Sequence, residues 1–171
     1  LKNHPNRKNF LATHPISGTE NSGPNAAMKK LYFNITNIIC EPELTSPDIL
    51  NFAYSLFSKF NMKIINMDPA SHDEHISYVS HLSHITSFIL AKTVIQKEEN
   101  EKNIFDLAGS GFESTVRLAK SSSKMWAPIF LDNKDNVIEA LDEYIKNLDE
   151  LKQLIVKNDK KSIVNDLNNI N

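Results

Sequence analysis

The apolar residues follow two different patterns along the chain, and the change comes near residue 67. In the first part, β-branched runs at residues 34–40 and 63–67 predict strands. Between them, apolar residues at three- and four-residue spacing predict a helix that starts at residues 45–48 with a hydroxyl cap and a proline in the first turn. A further apolar run, residues 10–13, ends before Pro15, which excludes a central-strand continuation. A strand, a helix and a strand in about 35 residues are typical of an α/β unit.

The second part is helical throughout. Residues 72–97 contain no glycine or proline and predict one long helix, whose apolar residues cover more than one stripe and so indicate burial on most sides. Residues 112–120 predict a short helix, and residues 121–123 predict the cap of the next one. Residues 133–157 predict a second long helix with a near-heptad apolar seam, which requires a partner helix. The seam consists of Val137, Leu141, Tyr144, Leu148, Leu151 and Ile155.

These patterns predict a mainly α-helical protein with two parts. Residues 1–67 are expected to form the end of an α/β sheet whose first strands are missing, because two or three strands do not complete such a sheet. Residues 68–171 are expected to form an all-helical domain. Since the first residue is leucine, we expect the chain to be a piece of a longer protein.

Composition excludes several classes of function. The 171 residues include 19 basic and 21 acidic residues, a net charge of −2, whereas proteins that bind nucleic acid through phosphates are usually basic. The single cysteine, Cys40, cannot form a disulfide within the chain, which is typical of a reducing compartment. The apolar stretches are far shorter than the roughly 20 residues that span a bilayer. We therefore expect a cytoplasmic protein with neither a nucleic-acid nor a membrane partner.

Glycine is scarce, which limits cofactor binding by these residues. The four glycines form neither a G-x-G-x-x-G nor a G-x-x-x-x-G-K-[ST] pattern. The sequence at Gly109 and Gly111 begins a dinucleotide fingerprint, but Ser114 occupies the place of the third glycine. The chain is therefore not expected to form a phosphate-binding loop by itself, and its cofactor-binding residues remain unassigned.

His14 is a candidate for proton transfer. It follows a predicted strand end, and ligands of open α/β sheets lie beyond the carboxyl ends of the strands. A histidine side chain exchanges a proton near neutral pH. The alternative interpretation is an ordinary surface-loop histidine.

His81 and His84 lie about one turn apart on the first long helix. Three interpretations remain open: a pair of buried core histidines, a zinc site with His72 and His75, or a contact with a substrate. No cysteine and no H-E-x-x-H pattern supports zinc, so we expect no metal site. Small hydroxyl residues on the same helix face favour a substrate contact, because they leave space and offer hydrogen bonds.

Arg117 is one of two arginines in a chain with 17 lysines. Where any cation would serve, this composition supplies lysine, so an arginine between apolar neighbours indicates planar recognition of a carboxylate or phosphate. The alternative is a surface ion pair, for which Glu20 and Glu113 are the natural partners. The only tryptophan, Trp126, is expected to be a core anchor rather than a stacking platform.

Five motifs in this order resemble those of the prephenate dehydrogenase family. Residues 13–23 read THPISGTENSG, residues 37–42 form a strand ending in proline, and His72-Asp73 precedes VSHLSH at residues 79–84. Residues 109–119 read GSGFESTVRLA, similar to the family's G-G-G-F-x-x-x-[ST]-R-[IL]-A, and Met125-Trp126 follows before the second long helix. The resemblance covers nearly the whole chain.

The resemblance implies that the protein oxidatively decarboxylates prephenate to 4-hydroxyphenylpyruvate with NAD⁺ or NADP⁺ in tyrosine biosynthesis. It implies that residues 1–67 are the C-terminal part of an incomplete nucleotide-binding domain and that residues 68–171 form a helical substrate-binding and dimerisation domain. The resemblance further implies a homodimer, with a helical domain like the C-terminal domain of 6-phosphogluconate dehydrogenase. His14 matches the catalytic histidine, which contacts the ring hydroxyl of the substrate. The residues that match substrate-binding positions are Arg117, His84, Glu20, Thr19 and Ser110, and Glu20 would pair with the arginine.

Two alternatives remain. The same motifs fit a dehydrogenase that acts on arogenate, also described as a cyclohexadienyl dehydrogenase. A non-catalytic helical module for dimerisation or ligand sensing is the alternative from another class, and it is favoured if His14, His84 and Arg117 lie apart. Because the family's glycine-rich half is missing from these residues, we expect the chain alone to be inactive.

Overall fold

The protein is mainly α-helical, with one three-stranded sheet near its N-terminus. The computed structural model describes residues 3–21, 23–101 and 103–170. The strands are β1 (Ala12–Pro15), β2 (Thr36–Cys40) and β3 (Lys63–Met67). The helices are α1 (Pro47–Lys59), α2 (Pro69–Ile76), α3 (Leu82–Asn100), α4 (Ser110–Thr115), α5 (Ser123–Asp132), α6 (Lys134–Val156) and α7 (Lys160–Asn168).

The sheet has the order β1-β2-β3, so β2 is its central strand. β2 and β3 are parallel and connected through α1, which confirms the predicted strand–helix–strand unit. β1 pairs antiparallel with β2 and places His14 opposite Ile38. Pro15 ends this edge strand, where a missing N–H group removes no ladder hydrogen bond from a central position. Asn37 and Ile39 of β2 are completely buried.

The predicted start of α1 is correct in position but not in its capping. Ser46 is the residue before the helix, yet its side chain makes no capping hydrogen bond. Instead, the Thr45 hydroxyl donates to the backbone oxygen of Phe10 over 2.8 Å. The Thr45 hydroxyl and the backbone N–H of Ser46, which donates to the backbone oxygen of Lys8 over 2.8 Å, therefore tie the helix start to the chain that enters β1.

The predicted long helix over residues 72–97 is confirmed, but it is not uniform. α2 and α3 follow one another through a wider π-helical turn at Ser77–His81. Asp68 caps the beginning of α2, since its Oδ1 accepts a hydrogen bond from the backbone N–H of Ser71 at 3.0 Å. π turns inside helices occur frequently at functional sites, and this one contains His81.

The core of the helical part lies where α2, the π turn, α5 and the beginning of α6 meet. Ile76, Trp126, Val137 and Ala140 are buried there. Elsewhere the apolar faces are open, and Val79 is 71% exposed. The expectation that the first long helix is buried on most sides is therefore wrong for a single chain, because no other described element covers these faces. The exposed apolar residues of the helical part include Ile89, Ile95, Leu107, Leu131, Ile145, Leu148, Ile155 and Val156.

The segment between the two long helices is more broken than predicted. The expected helix at residues 112–120 consists of α4 and a 3₁₀ turn, Arg117–Lys120, which meet at Val116. α5 then begins at Ser123 after Ser122, although the Ser122 side chain makes no capping hydrogen bond. The second long helix is confirmed as α6, and α7 packs against it. None of the helices in the described ranges is long and apolar enough to cross a membrane.

Candidate active site

A histidine pair connects the sheet to the first long helix. His14 lies in β1, and His72 lies in the first turn of α2 after the end of β3. His14 Nδ1 is 2.9 Å from His72 Nε2, and the two rings meet edge to face with centroids 5.2 Å apart. On its other side, His72 Nδ1 is 2.8 Å from the carboxylate oxygen Oδ1 of Asp73. The pKa of His14 is lowered, first by burial and then by the nearby His72, so His14 is neutral at pH 7.

A second group of aromatic rings surrounds the π turn. His84 stacks on Trp126 with ring centroids 3.6 Å apart, and its Nδ1 is 2.9 Å from the backbone oxygen of Ser80. Because a carbonyl oxygen only accepts, this contact places a proton on Nδ1 of His84 and leaves Nε2 as an acceptor. His81 is 7% exposed and packs edge-on against Trp126 and Phe130. Burial is the main cause that lowers the pKa of both histidines.

Trp126 is the core anchor that the sequence predicts, but it is also a stacking platform, which the sequence analysis did not expect. It is 7% exposed and contributes to the core, as expected of an anchor. It also presents one face to His84, so it sets the position of that imidazole. Its indole Nε1 is buried without a hydrogen-bond partner among the described residues.

Arg117 is paired with Glu20, one of its two predicted partners. Its Nη1 donates to Glu20 Oε2 over 2.8 Å, although 97 residues separate the two in sequence. The hydrogen bond from its own backbone amide and the bond from Arg117 lower the pKa of Glu20. The arginine side chain is 52% exposed and the glutamate 25%, so the pair lies at the surface of the site. Only one nitrogen of the guanidinium bonds Glu20, which leaves donors for an anionic ligand.

Ser87 fixes the backbone on both sides of Arg117. This buried residue of α3 donates from its hydroxyl to the backbone oxygen of Thr115 at 3.0 Å and accepts from the N–H of Ala119 at 3.1 Å. Ser77 is also buried, and its hydroxyl donates to the backbone oxygen of Glu74. The expectation that the small hydroxyl residues of this helix face are open to a substrate is therefore wrong for these two serines, because their hydroxyls serve backbone groups.

Thr19 and Ser110 make no hydrogen bond to the histidine cluster within the described ranges. The Thr19 hydroxyl is 3.3 Å from both the N–H and the carbonyl oxygen of Asn21, so it holds the loop that carries Glu20. Ser110 begins α4 and is exposed. Within the described ranges, no hydrogen bond of its side chain links it to the histidine cluster.

Direct contacts join the histidines into one region. Asn133 Nδ2 lies 2.7 Å from the backbone oxygen of Asp73 and 3.4 Å from His81 Nδ1, and the rings of His81 and His84 both pack against Trp126. The charges of His84, Asp73, His14 and His72 all influence the pKa of His81. The positive charge of Arg117 in turn helps to lower the pKa of His84. Residues 3–21, 23–101 and 103–170 contain no group of three or more His, Cys, Asp or Glu side chains that could hold a metal ion. The arrangement instead combines a neutral base, stacked imidazoles and a cation, which suits a small anionic ligand with a hydroxyl group.

A separate cavity of about 690 Å³ opens at the carboxyl ends of β2 and β3. Its described lining includes the carboxylates of Glu41, Glu43 and Asp68, of which Glu41 pairs with the buried Arg7 at 3.5 Å. This negative lining opposes an anion, so the cavity does not compete with the Arg117 region as a site for a carboxylate.

Comparison with known proteins identifies the family. The family described as "Prephenate dehydrogenase, dimerization domain" matches residues 68–169, and "Prephenate dehydrogenase, nucleotide-binding domain" matches residues 1–66. The chain belongs to the prephenate dehydrogenase family. The resemblance found in the sequence motifs is thereby confirmed.

Individual members of the family agree with this assignment. The chain is 29% identical to a prephenate dehydrogenase of Bacillus subtilis over 93% of its own length and 43% of that protein. A prephenate dehydrogenase of A. aeolicus, crystallised with hydroxyphenyl propionate and NAD⁺, is 34% identical, with a TM-score of 0.85 over 95% of this chain and 57% of that one. An arogenate dehydrogenase of Synechocystis is 27% identical, with a TM-score of 0.74, over 94% and 59%. The chain thus spans about half the length of these relatives.

His72, Asp73 and Ser87 are the neighbours that sequence reasoning did not assign. His72 was considered only as a possible zinc ligand and as part of the His72-Asp73 motif, and Asp73 had no role beyond that motif. No periodicity reveals that a residue of β1 meets one 58 positions later in α2, since this contact depends on how the sheet and the helix pack. Ser87 lies on the helix face that carries small hydroxyl residues, so the sequence marked its position but not the two backbone groups that it bonds.

Proposed function

We propose that this chain provides the substrate-binding and catalytic residues of a dehydrogenase that converts prephenate to 4-hydroxyphenylpyruvate and carbon dioxide. The observation that carries the proposal is the chain of contacts that runs from His14 through His72 and Asp73 to Asn133, and from there through His81 and Trp126 to His84. The charge of Arg117 is near enough to His84 to help lower the pKa of that imidazole. Prephenate carries a ring hydroxyl and two carboxylates, and this network offers a base and a cation to match. A non-catalytic module would not require these three groups to be coupled.

The network suits a definite division of roles. His14 accepts the proton of the ring hydroxyl as a hydride leaves the same ring carbon. The bond to the ring carboxylate then breaks, carbon dioxide leaves, and the bonding electron pair makes the ring aromatic. His14 returns its proton to the phenol oxygen, so no net proton is released. Arg117 binds a carboxylate of the substrate, and His84, held by Trp126, offers Nε2 to a donor of the substrate.

A nicotinamide cofactor supplies the hydride acceptor in this reaction, as the nucleotide-binding family match of residues 1–66 supports. The turn between β2 and α1 does not fit the pyrophosphate of such a cofactor. It contains Glu41, Pro42 and Glu43 instead of glycines, and carboxylates repel a phosphate. We therefore assign no residue of this chain to cofactor binding, and the choice between NAD⁺ and NADP⁺ rests on residues other than these.

The fold supports two further parts of the proposal. We propose a division into a nucleotide-binding part, residues 1–67, and a helical part, residues 68–171, because α2 begins at Pro69 immediately after β3. We propose that the helical part resembles the C-terminal domain of 6-phosphogluconate dehydrogenase. The exposed apolar residues of α3 and α6 support assembly into a homodimer, since patches of this extent normally mark interfaces.

Turnover by the full-length protein that carries this sequence tests the function. Prephenate and arogenate are each supplied with NAD⁺ or NADP⁺, and the absorbance of the reduced nicotinamide is followed. We expect reduction with prephenate, and a preference for arogenate would assign the protein to the arogenate branch of the family. Absence of reduction with both substrates, in a protein whose circular dichroism shows a folded helical chain, would contradict the proposal.

A further inference from the structure

The ring nitrogens of His14 and His72 form a chain of hydrogen bonds that ends on a carboxylate. His14 Nδ1 faces His72 Nε2 at 2.9 Å, and His72 Nδ1 faces Asp73 Oδ1 at 2.8 Å. The backbone of Asp73 is itself fixed, because Asn133 at the start of α6 donates from Nδ2 to its carbonyl oxygen over 2.7 Å. This chain of hydrogen bonds, together with Asn133, therefore links β1, α2 and the start of α6.

The direction of these hydrogen bonds follows from the chemistry of the three groups. An ionised carboxylate only accepts, so His72 must donate its Nδ1–H to Asp73. In the neutral imidazole, His72 Nε2 then has no proton and accepts from Nδ1–H of His14. A neutral His14 with its proton on Nδ1 has a free lone pair on Nε2, which is the form that a general base needs.

We propose that His72 and Asp73 are positioning residues that keep the proton of His14 on Nδ1 and Nε2 available for the substrate hydroxyl. This inference rests on the proposed function for its catalytic consequence, while the tautomer itself does not depend on any substrate. His72 of α2 faces His14 directly, Asp73 lies beyond it, and His81 of the π turn is near enough for the charge of His14 to influence its pKa. When His14 takes up the substrate proton at Nε2, its Nδ1–H still points to a neutral acceptor, and Asp73 lies beyond it as the counter-charge.

Four variants separate positioning from structure. His72→Leu removes the acceptor, whereas His72→Gln can offer an amide oxygen to the same Nδ1–H. Asp73→Asn can donate to His72 Nδ1, which would reverse both hydrogen bonds and move the proton of His14 to Nε2. His75→Leu is the matched control, because His75 lies on the same helix and is exposed.

Kinetics of the full-length protein carrying this sequence give the first measurement. We expect His72→Leu and Asp73→Asn to lower kcat by about 10-fold to 100-fold, as is usual for residues that orient a catalytic ligand, with a much smaller change in KM. His72→Gln should recover part of the loss, and His75→Leu should equal the wild type. Equal kcat in His72→Leu, Asp73→Asn and the wild type would overturn the proposal.

Nitrogen-15 spectra of the histidine rings give a second measurement that needs no substrate. The wild type near pH 7 should show His14 with Nδ1 protonated and Nε2 bare, and Asp73→Asn should move the proton towards Nε2. A wild-type His14 protonated on Nε2 would overturn the inference even if His72→Leu fails to fold. If the tautomer is as expected but neither prephenate nor arogenate is oxidised, the proposed function fails and the positioning of His14 stands.

Discussion

Replacing Arg117 by alanine should weaken substrate binding far more than it destabilises the fold. The Arg117–Glu20 pair is half exposed, and ion pairs of this kind contribute about 0–1 kcal/mol to the free energy of unfolding. The backbone around Arg117 is held by Ser87 rather than by the guanidinium, so it should stay in place. We therefore expect the melting temperature to fall by less than about 4 °C, since 1 kcal/mol corresponds to about 2–4 °C in a protein of this size.

The expected effect on binding is larger. Removing one partner of a charge-assisted pair costs about 2–5 kcal/mol when the pair is buried, and the 52% exposure of Arg117 favours the lower limit. A loss of about 2 kcal/mol raises KM about 30-fold, because each 1.4 kcal/mol is a factor of ten. kcat should change less, since a carboxylate clamp acts on the bound substrate and on the transition state alike.

Steady-state kinetics and thermal unfolding of the full-length protein measure both quantities. Lys120→Ala is the matched control, because it removes a positive charge from the same 3₁₀ turn. Arg117→Lys distinguishes a planar fork from a simple cation, and it should recover only part of the affinity. An unchanged KM in Arg117→Ala would refute the reasoning, and a fall in melting temperature by more than 10 °C would show that the residue is structural.

Three further predictions concern the histidines and the assembly. His14→Asn should lower kcat by about 10²–10⁴-fold, and kinetics over pH 6–9 would exclude His14 from the mechanism if kcat equals that of the wild type. Burial lowers the pKa of His81 below its ordinary value of 6.5, so the unfolded chain takes up a proton on His81 at a higher pH than the folded protein does. The urea midpoint should therefore fall as the pH drops below 6.5, and it should fall less in His81→Gln. The protein should sediment as a dimer at micromolar concentration with an interface of more than about 2,000 Å², and a stable monomer of 19.4 kDa would contradict this.

The sequence predicts elements best where one period persists over many residues. The apolar seam from Val137 to Ile155 predicts a helix whose bounds nearly coincide with those of α6. The two β-branched runs predict the strands β2 and β3. The π turn leaves no such mark, because a one-residue widening does not interrupt the apolar pattern of a helix that is apolar on several sides. The wide apolar surface of the first long helix also explains why its burial within one chain was overestimated. Hydrophobicity alone does not tell whether the same chain or another chain covers an apolar face.

The site residues were predictable by type, but of their partners only Glu20 was expected. The scarcity of arginine marks Arg117, and its pairing with Glu20 was among the expected alternatives. The contact between His14 and His72 requires the packing of α2 against the sheet, which follows from the tertiary structure and not from any local pattern. For Ser87 the predicted role itself was wrong. A hydroxyl on this helix face was expected to meet a ligand, but that of Ser87 bonds the backbone groups of Thr115 and Ala119 instead.

The π turn also sets the angular register of the first long helix. In a regular α-helix each residue advances by about 100°, so His72 and His84, twelve residues apart, would point about 120° away from each other. A π turn accommodates one additional residue without that advance, which reduces the angle to about 20°. The imidazole that meets the sheet and the imidazole that stacks on Trp126 thus share one side of the helix.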